Sequence, residues 1–254
     1  MNRRLVLLAM LMGLIEPATG SSFADTIKTL KPSIVAIASY QPTRRPSTHL
    51  LGTGFVIGNG RYIGTNAHVI NQALNSEAFE RIIVLAGTGR RPELLEAKIV
   101  LQDREKDLAI LQIKRKLLPL SLSSDPEVLE GEVVGFTGFP IGAVLGLYPV
   151  THRGMISAIT PIVIPASSSS QLDARKISRL RDPLFVYQLD ATAYPGNSGS
   201  PVYRPDTGEV VGILNSVFVK LTKEDVLSDP SGISYAIPVK YLQKLLLELE
   251  VAGP

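Results

Sequence analysis

The sequence predicts an all-β fold in which antiparallel sheets are closed into barrels or stacked as a sandwich. Most apolar segments are short, rich in Val and Ile, and separated by Gly, Pro, Asn or Asp, which is the pattern of strands. About a dozen such segments occur with few helical patterns between them, and this favours antiparallel over parallel sheets. A chain of 254 residues, 45% hydrophobic and 19% charged, can form a full core as one large domain or two small lobes.

The predicted strands follow one another along the chain after its first two dozen residues. They are "SIVAIASY", "GTGFVIG", "RYIGT", "RIIVLAG", "LLEAKIVLQD", "LAILQI", "EVVGFTGF", "GMISAIT", "FVYQLD", "SPVYR", "EVVGILNSVF" and "ISYAI". Two stretches depart from this pattern: a turn of helix is expected after "NAHVI", and a longer helix in "PVKYLQKLLLELE". The apolar face of that last helix predicts that it docks on the sheets rather than on a partner; it carries Val239, Leu242, Leu245, Leu246 and Leu249.

The N-terminal segment has the pattern of a secretory signal. Arg3 and Arg4 lead into "LVLLAMLMGLI", which is too short to span a bilayer, and small residues follow in "SSFAD". We expect a signal peptide over 1–24 with cleavage after Ala24, and an uncleaved N-terminal anchor is the alternative. No later segment has a transmembrane pattern, so the sequence predicts export to a periplasm or the cell exterior, with no integral span after signal removal.

Composition excludes several classes of site. The chain has no cysteine, which excludes disulfides, a lipid anchor on cysteine and a thiol nucleophile. Its three histidines have no HxxxH spacing, and its carboxylates have no paired spacing that would suit a metal. We therefore expect no metal and no cofactor. The formal charge of +3 is spread over the whole length, so we expect no nucleic-acid partner.

The stretch "ATAYPGNSGSPVY", residues 191–203, places a serine between glycines. Glycines allow the backbone to turn tightly while it exposes the hydroxyl and directs nearby N–H groups at one point. Ser198 is therefore a candidate nucleophile, and the amides of Gly196 and Ser198 are candidate oxyanion donors. A plain Gly- and Ser-rich turn is the alternative interpretation.

A serine nucleophile needs a base, normally histidine. His68, in "GTNAHVI", lies between a strand and an apolar stretch, a context that suits a side chain at a cleft. His49, in "RRPSTH", and His152, in "PVTHRG", are interpreted as surface or loop histidines.

The base in turn needs a carboxylate to orient it. Asp107 opens the strand-like run "DLAIL", which would carry it into the interior, where an ionised carboxylate needs a partner. Asp103 is expected to be solvated, and Asp190, at the end of "FVYQLD", to shape a pocket or cap a turn.

His68, Asp107 and Ser198 occur in the chain order of chymotrypsin. With them, "GTGFVIG", "GTNAHVI", "KDLAILQI", "GFPIG", "PGNSGSPV" and "GISYAIPV" resemble the motifs of trypsin-like serine proteases of the HtrA (Deg) group. The resemblance runs from about residue 26 to residue 248. It implies two perpendicular antiparallel six-stranded β-barrels with a C-terminal helix, so the mature domain, 25–254, would divide into lobes at 25–125 and 126–254.

The resemblance also implies roles for the site residues. His68 would be general base and then acid, Asp107 would fix its tautomer, and Ser198 would attack the peptide carbonyl. The backbone amides of Gly196, Asn197 and Ser198 would form the oxyanion hole.

This sequence departs from the HtrA pattern in several places. We expect no PDZ domain after the last helix. "GNSGSP" has Ser200 where HtrA proteins usually have glycine, as in glutamyl endopeptidases, but Leu214 stands where that group has its acid-reading histidine. A glutamyl-endopeptidase-like specificity therefore stays open as an alternative.

By resemblance, the substrate pocket is lined by Thr192, Leu214, Asn215 and Ser216. With no acidic residue at Thr192, a buried basic side chain would lack a counter-charge, so we expect cleavage after Val, Ala, Leu or Ile.

The loop 164–183 is a candidate mobile segment near the site.

The sequence thus predicts an exported serine endopeptidase that acts on unfolded or damaged polypeptides. HtrA proteins are often trimers, so the resemblance also suggests a homotrimer. A trypsin-like fold that binds protein without cleaving it, either silent or latent, is the alternative from another functional class.

Overall fold

The computed structural model describes residues 22–71, 74–124, 127–140, 146–162, 183–216 and 232–252. These residues form two closed antiparallel barrels of six strands each, which confirms the predicted architecture. The first barrel consists of β1 (Ile34–Tyr40), β2 (Thr48–Ile57), β3 (Tyr62–Thr65), β4 (Arg81–Ala86), β5 (Glu93–Asp103) and β6 (Leu108–Ile113). The second consists of β7 (Val133–Gly138), β8 (Val150–Pro161), β9 (Phe185–Asp190), β10 (Pro201–Tyr203), β11 (Val210–Asn215) and β12 (Ile233–Pro238).

Strand order follows the same scheme in both barrels. The first barrel closes in the order β1-β2-β3-β6-β5-β4 and the second in the order β10-β11-β12-β9-β8-β7. The long strands β5 and β8 shift register between Ile99 and Leu101 and between Ile156 and Ala158. Such irregularities increase local twist and bend a strand, which allows a sheet of six strands to close.

The helices lie at the edges of the barrels. They are α1 (Phe23–Leu30), which continues as a 3-10 turn at Lys31–Ser33, α2 (Ala67–Ile70), a 3-10 turn at Ser76–Ala78, and α3 (Val239–Ala252). The sequence interpretation missed α1, although Ser22 caps it by accepting a hydrogen bond from the Asp25 amide at 3.3 Å. The predicted cleavage site after Ala24 lies in the first turn of this helix.

Three apolar clusters form the core. One fills the first barrel, around Val35, Ile63 and Leu111, and one fills the second, around Phe136 and Val211. The third contains residues of both barrels and of α3; its members include Phe55, Ile110, Tyr203, Ile213 and Leu242. The two barrels therefore share a continuous apolar interface, which fixes the edges that face each other.

Helix α3 docks with the predicted face inward. Val239 and Leu242 are fully buried, and Leu245 is buried as well. Leu246 and Leu249 are partly buried against the cluster that the barrels share. The apolar period of "PVKYLQKLLLELE" therefore identified the contact face of this helix.

Several sequence expectations fall on residues outside the described part of the chain. These are the predicted signal peptide up to residue 21 and all but the last residue of the loop at 164–183. In the described ranges, no helix is both long enough and apolar enough to span a membrane.

His49 and His152 were interpreted as surface or loop histidines, and both lie in strands. His49 lies in β2 opposite Ser39, although its side chain is exposed. His152 lies in β8 opposite Phe136, and its ring stacks on that of Phe136 at a centroid distance of 4.8 Å. Side chains two apart on a strand share a face, so His152 lies on the same face of the strand as the buried Ile156. This spacing was the signal in the sequence that His152 belongs to a strand.

The imidazole of His152 is held in an apolar setting. Its ring also faces that of Tyr194 at 6.0 Å, and its Nε2 atom is buried without a hydrogen-bond partner among the described residues. This burial lowers the pKa of His152 below the ordinary value. In the unfolded chain, the imidazole of His152 therefore takes up a proton at a higher pH than in the folded protein.

His152 should make the protein less stable in mild acid. Because the unfolded state binds more protons, the free energy of unfolding should fall as pH drops below about 6.5, the unperturbed value for histidine. We expect His152→Phe to flatten this dependence, measured by urea denaturation between about pH 7.5 and pH 5.5, where carboxylates contribute little. The exposed His49→Gln variant is the matched control, and an unchanged slope in His152→Phe would contradict the assignment.

Candidate active site

The pairing of β3 with β6 brings His68 and Asp107 together. Thr65 at the end of β3 pairs with Ala109 near the start of β6, and α2, which carries His68, follows β3 directly. The Ala67 amide donates to the Asp107 carbonyl at 3.1 Å, so the two residues are joined through the backbone beside their side chains.

Asp107 holds the histidine by two hydrogen bonds. The His68 backbone amide donates to Oδ1 at 2.8 Å, and His68 Nδ1 donates to Oδ2 at 2.6 Å. Asp107 has φ 54, a left-handed conformation that Asp tolerates better than most residues. With Nδ1–H bound to the carboxylate, the lone pair of the neutral ring lies on Nε2.

Asn215 reaches Asp107 from the second barrel. It ends β11, is fully buried, and donates from Nδ2 to Asp107 Oδ2 at 2.6 Å. The sequence analysis assigned Asn215 to the substrate pocket, whereas the structure places its side chain on the Asp107 carboxylate. A hydrogen bond to the ionised carboxylate stabilises that charge.

Ser198 lies in the tight turn that precedes β10. Gly199, the next residue, has φ 86, and a Cβ there would lie 2.0 Å from the Thr53 carbonyl oxygen. Only glycine fits this position, because both the backbone conformation and the space exclude a side chain. The second glycine of "GNSGS" is therefore required by a close approach between the two barrels.

The hydroxyl of Ser198 forms a short hydrogen bond with the hydroxyl of Ser216. Among the residues that the structure describes, no hydrogen bond links Ser198 Oγ to His68. Ser198 is only 4% exposed, whereas the His68 side chain is 29% exposed. In this arrangement the candidate nucleophile is hydrogen-bonded to Ser216, a residue expected to line the substrate pocket.

The segments that carry the three candidate residues nevertheless lie next to one another. A Cβ at Gly52 would lie 2.8 Å from the Val69 side chain and 3.0 Å from the Ser198 carbonyl oxygen. Val69, which follows His68 in the chain, and Ser198 therefore both approach Gly52. The adjacent residues Asn215 and Ser216 contact Asp107 and Ser198, respectively.

The backbone amides of the turn before Ser198 differ in their partners among the described residues. Gly196 has φ 96, and the Asn197 amide donates to the Tyr194 carbonyl at 3.0 Å. In the described ranges, neither the Gly196 amide nor the Ser198 amide donates to another backbone group. Of the three amides that the resemblance assigned to an oxyanion hole, that of Asn197 is thus bonded to the Tyr194 carbonyl.

The four expected pocket residues divide into two pairs. Leu214 and Asn215 are fully buried, Leu214 in the core of the second barrel and Asn215 on Asp107. Thr192 and Ser216 remain partly accessible. The sequence analysis assigned the adjacent residues Leu214 and Asn215 to one wall, although successive side chains on a strand point to opposite faces.

Comparison with known proteins identifies homologues of this chain. Residues 52–213 match the family described as "Trypsin-like peptidase domain". The chain is 33% identical over 189 residues to a probable periplasmic serine endoprotease, DegP-like, of Halomonas elongata, covering 74% of this chain and 33% of that protein. It is 30% identical over 198 residues to a protein of the same description from Pseudomonas putida, covering 77% and 34%.

Solved structures give the same result. The serine endoprotease from Yersinia pestis superposes with a TM-score of 0.62 at 26% identity, covering 90% of this chain and 66% of that one. The HtrA-type protease AlgW, solved with a tripeptide, superposes with a TM-score of 0.63 at 24% identity, covering 89% and 63%, and this likeness shows the fold alone. The chain spans about one third of the length of the two sequence relatives. Because the family match covers more than half of its residues, the chain belongs to the trypsin-like peptidase family, as a homologue of DegP-like endoproteases.

Proposed function

We propose that this protein is a serine endopeptidase that hydrolyses peptide bonds of unfolded or damaged polypeptides. The observation that carries the proposal is the hydrogen-bonded pair of His68 and Asp107, with its 2.6 Å bond, beside the buried turn of Ser198. A carboxylate on Nδ1 makes Nε2 a base that can take a proton from a serine hydroxyl. The serine endoprotease names of the relatives support the same activity.

In the proposed reaction, the Ser198 hydroxyl turns from Ser216 to Nε2 of His68. Its oxygen then bonds to the carbonyl carbon of the substrate as the proton passes to Nε2, and Asp107 stabilises the imidazolium. The amides of Gly196 and Ser198 stabilise the oxyanion, at about 3 kcal/mol for each well-placed donor. His68 returns the proton to the leaving amine, and water repeats the sequence to release the acyl group.

The proposal includes export. The predicted signal peptide supports it, as do the two relatives, whose names describe periplasmic proteins. The homotrimer stays a prediction from the resemblance.

Substituting Ser198 should abolish reactivity toward a fluorophosphonate probe. We expect the wild type to be labelled on Ser198 and Ser198→Ala to lose labelling and casein hydrolysis by at least about a thousandfold, because removing the nucleophile leaves only binding. Ser200→Ala, two residues along the same loop, is the control. If the wild type is not labelled either with or without denatured protein, the protein is a binding module instead.

Removing the Ser216 hydroxyl should accelerate that labelling. While the Ser198 hydroxyl donates its proton to Ser216, it cannot also donate to Nε2, and a net hydrogen bond of about 1 kcal/mol corresponds to about a fivefold difference in population. We expect Ser216→Ala to be labelled about two- to tenfold faster than the wild type, and Ser216→Thr to remain close to the wild type. Slower labelling of Ser216→Ala would show that Ser216 supports the reaction instead.

We propose that the enzyme prefers small apolar residues before the cleaved bond. Thr192 is uncharged and partly accessible at the expected pocket, so a basic side chain entering it would meet no counter-charge from this residue.

A mass-spectrometric map of cleavage sites in an unfolded protein tests this preference. We expect cleavage mainly after Val, Ala, Leu or Ile, with Ser198→Ala as the control for contaminating proteases. Cleavage only after Lys or Arg would contradict the proposed pocket, and cleavage only after Glu would establish the glutamyl-endopeptidase alternative.

A further inference from the structure

We propose that Thr53 is a positioning residue for the reaction, holding the oxyanion turn, residues 194–198, from the opposite barrel. Thr53 lies in β2 of the first barrel, whereas the oxyanion turn precedes β10 of the second. The inference rests on the proposed function, because it assigns Thr53 to the two amides that would stabilise the oxyanion.

Every polar group of Thr53 is used in a hydrogen bond. Its amide donates to the Ser198 carbonyl at 2.9 Å, and its hydroxyl donates to the Gly196 carbonyl at 2.8 Å. The hydroxyl oxygen accepts from the Phe139 amide at 3.0 Å, and the Thr53 carbonyl accepts from the Thr65 hydroxyl at 2.7 Å. The side chain is fully buried, so water cannot replace these partners without rearrangement.

These bonds fix alternate peptide groups of the turn. The peptide between Gly196 and Asn197 is held at its carbonyl by Thr53 and at its N–H by Tyr194. The peptide between Ser198 and Gly199 is held at its carbonyl by the Thr53 amide and at its N–H by the Leu214 carbonyl, the latter at 2.9 Å.

The amides of Gly196 and Ser198 belong to the peptide groups beside these fixed ones. A planar peptide rotates only about its flanking φ and ψ bonds, so fixing its neighbours restricts the direction of its N–H. Thr53 thereby restricts where the N–H groups of Gly196 and Ser198 point. An oxyanion hole is effective because its donors are oriented before charge develops, and small misplacements of reacting groups cost up to about a hundredfold in rate.

A valine at this position is the sharpest test, because it keeps the shape of threonine and removes only the hydroxyl. We expect Thr53→Val to lower kcat by about tenfold to a hundredfold while KM changes less than about threefold, because the lost interaction acts in the transition state. Thr53→Ser, which keeps the hydroxyl, should recover kcat to within about threefold of the wild type.

A transition-state analogue separates positioning from general destabilisation. A peptidyl trifluoromethyl ketone forms a tetrahedral adduct with an oxyanion, so its affinity should fall in Thr53→Val by about the same factor as kcat. The pH at half-maximal kcat should stay unchanged, because Thr53 does not contact His68 or Asp107 in the described structure.

Thr65→Val is the matched control. Thr65 is equally buried, and its hydroxyl bonds to the Thr53 carbonyl rather than to the oxyanion turn. We expect Thr65→Val to lose thermal stability to a similar extent as Thr53→Val but to keep kcat within about threefold. If Thr53→Val does not fold, Thr53→Cys replaces it, because the cysteine side chain is of similar size and keeps a weak S–H donor. Its kcat should lie between that of the wild type and about one tenth of that of Thr65→Val.

Three results would overturn the inference. They are an unchanged kcat in folded Thr53→Val, an equal loss of kcat in Thr65→Val, or no recovery in Thr53→Ser. A wild type that neither cleaves protein nor reacts with a fluorophosphonate would overturn the proposed function itself, and is thereby distinguished from a failure of the role of Thr53.

Discussion

Hydrogen bonds that cross between the two barrels hold the candidate active site together. Asn215 of the second barrel donates to Asp107 of the first, and Thr53 of the first barrel holds Gly196 and Ser198 of the second. Each crossing bond is buried or partly buried, so breaking it would leave a polar group without solvent and cost more than an exposed bond. The candidate base and the candidate nucleophile thus depend on one interface.

No disulfide supports that interface, because the chain has no cysteine, and apolar packing acts there together with these hydrogen bonds. The largest apolar cluster draws residues from both barrels and from α3, and glycines allow the backbones to approach. A Cβ at Gly138 would lie 2.0 Å from Ser200 Oγ, and one at Gly199 would lie equally close to the Thr53 carbonyl oxygen. Interiors packed this closely transmit small displacements, so a change at the interface also moves the site.

The end of β11 couples two parts of the site through adjacent residues. Asn215 contacts the carboxylate that orients His68, and Ser216 contacts the hydroxyl of Ser198. A shift of this strand end would alter the base and the nucleophile together.

The sequence by itself determined the twelve strands, the docked face of α3 and the candidates His68, Asp107 and Ser198. Local patterns carry this information, because apolar periods and turn-forming glycines act over a few residues. The tertiary structure alone decided that Asn215 binds Asp107 and that Thr53 holds the oxyanion turn. It also decided that Leu214 packs in the core of the second barrel and that His152 stacks on a ring of that core. The physical reason is that these contacts depend on strand register and on the closure of both barrels, which bring together residues distant in sequence.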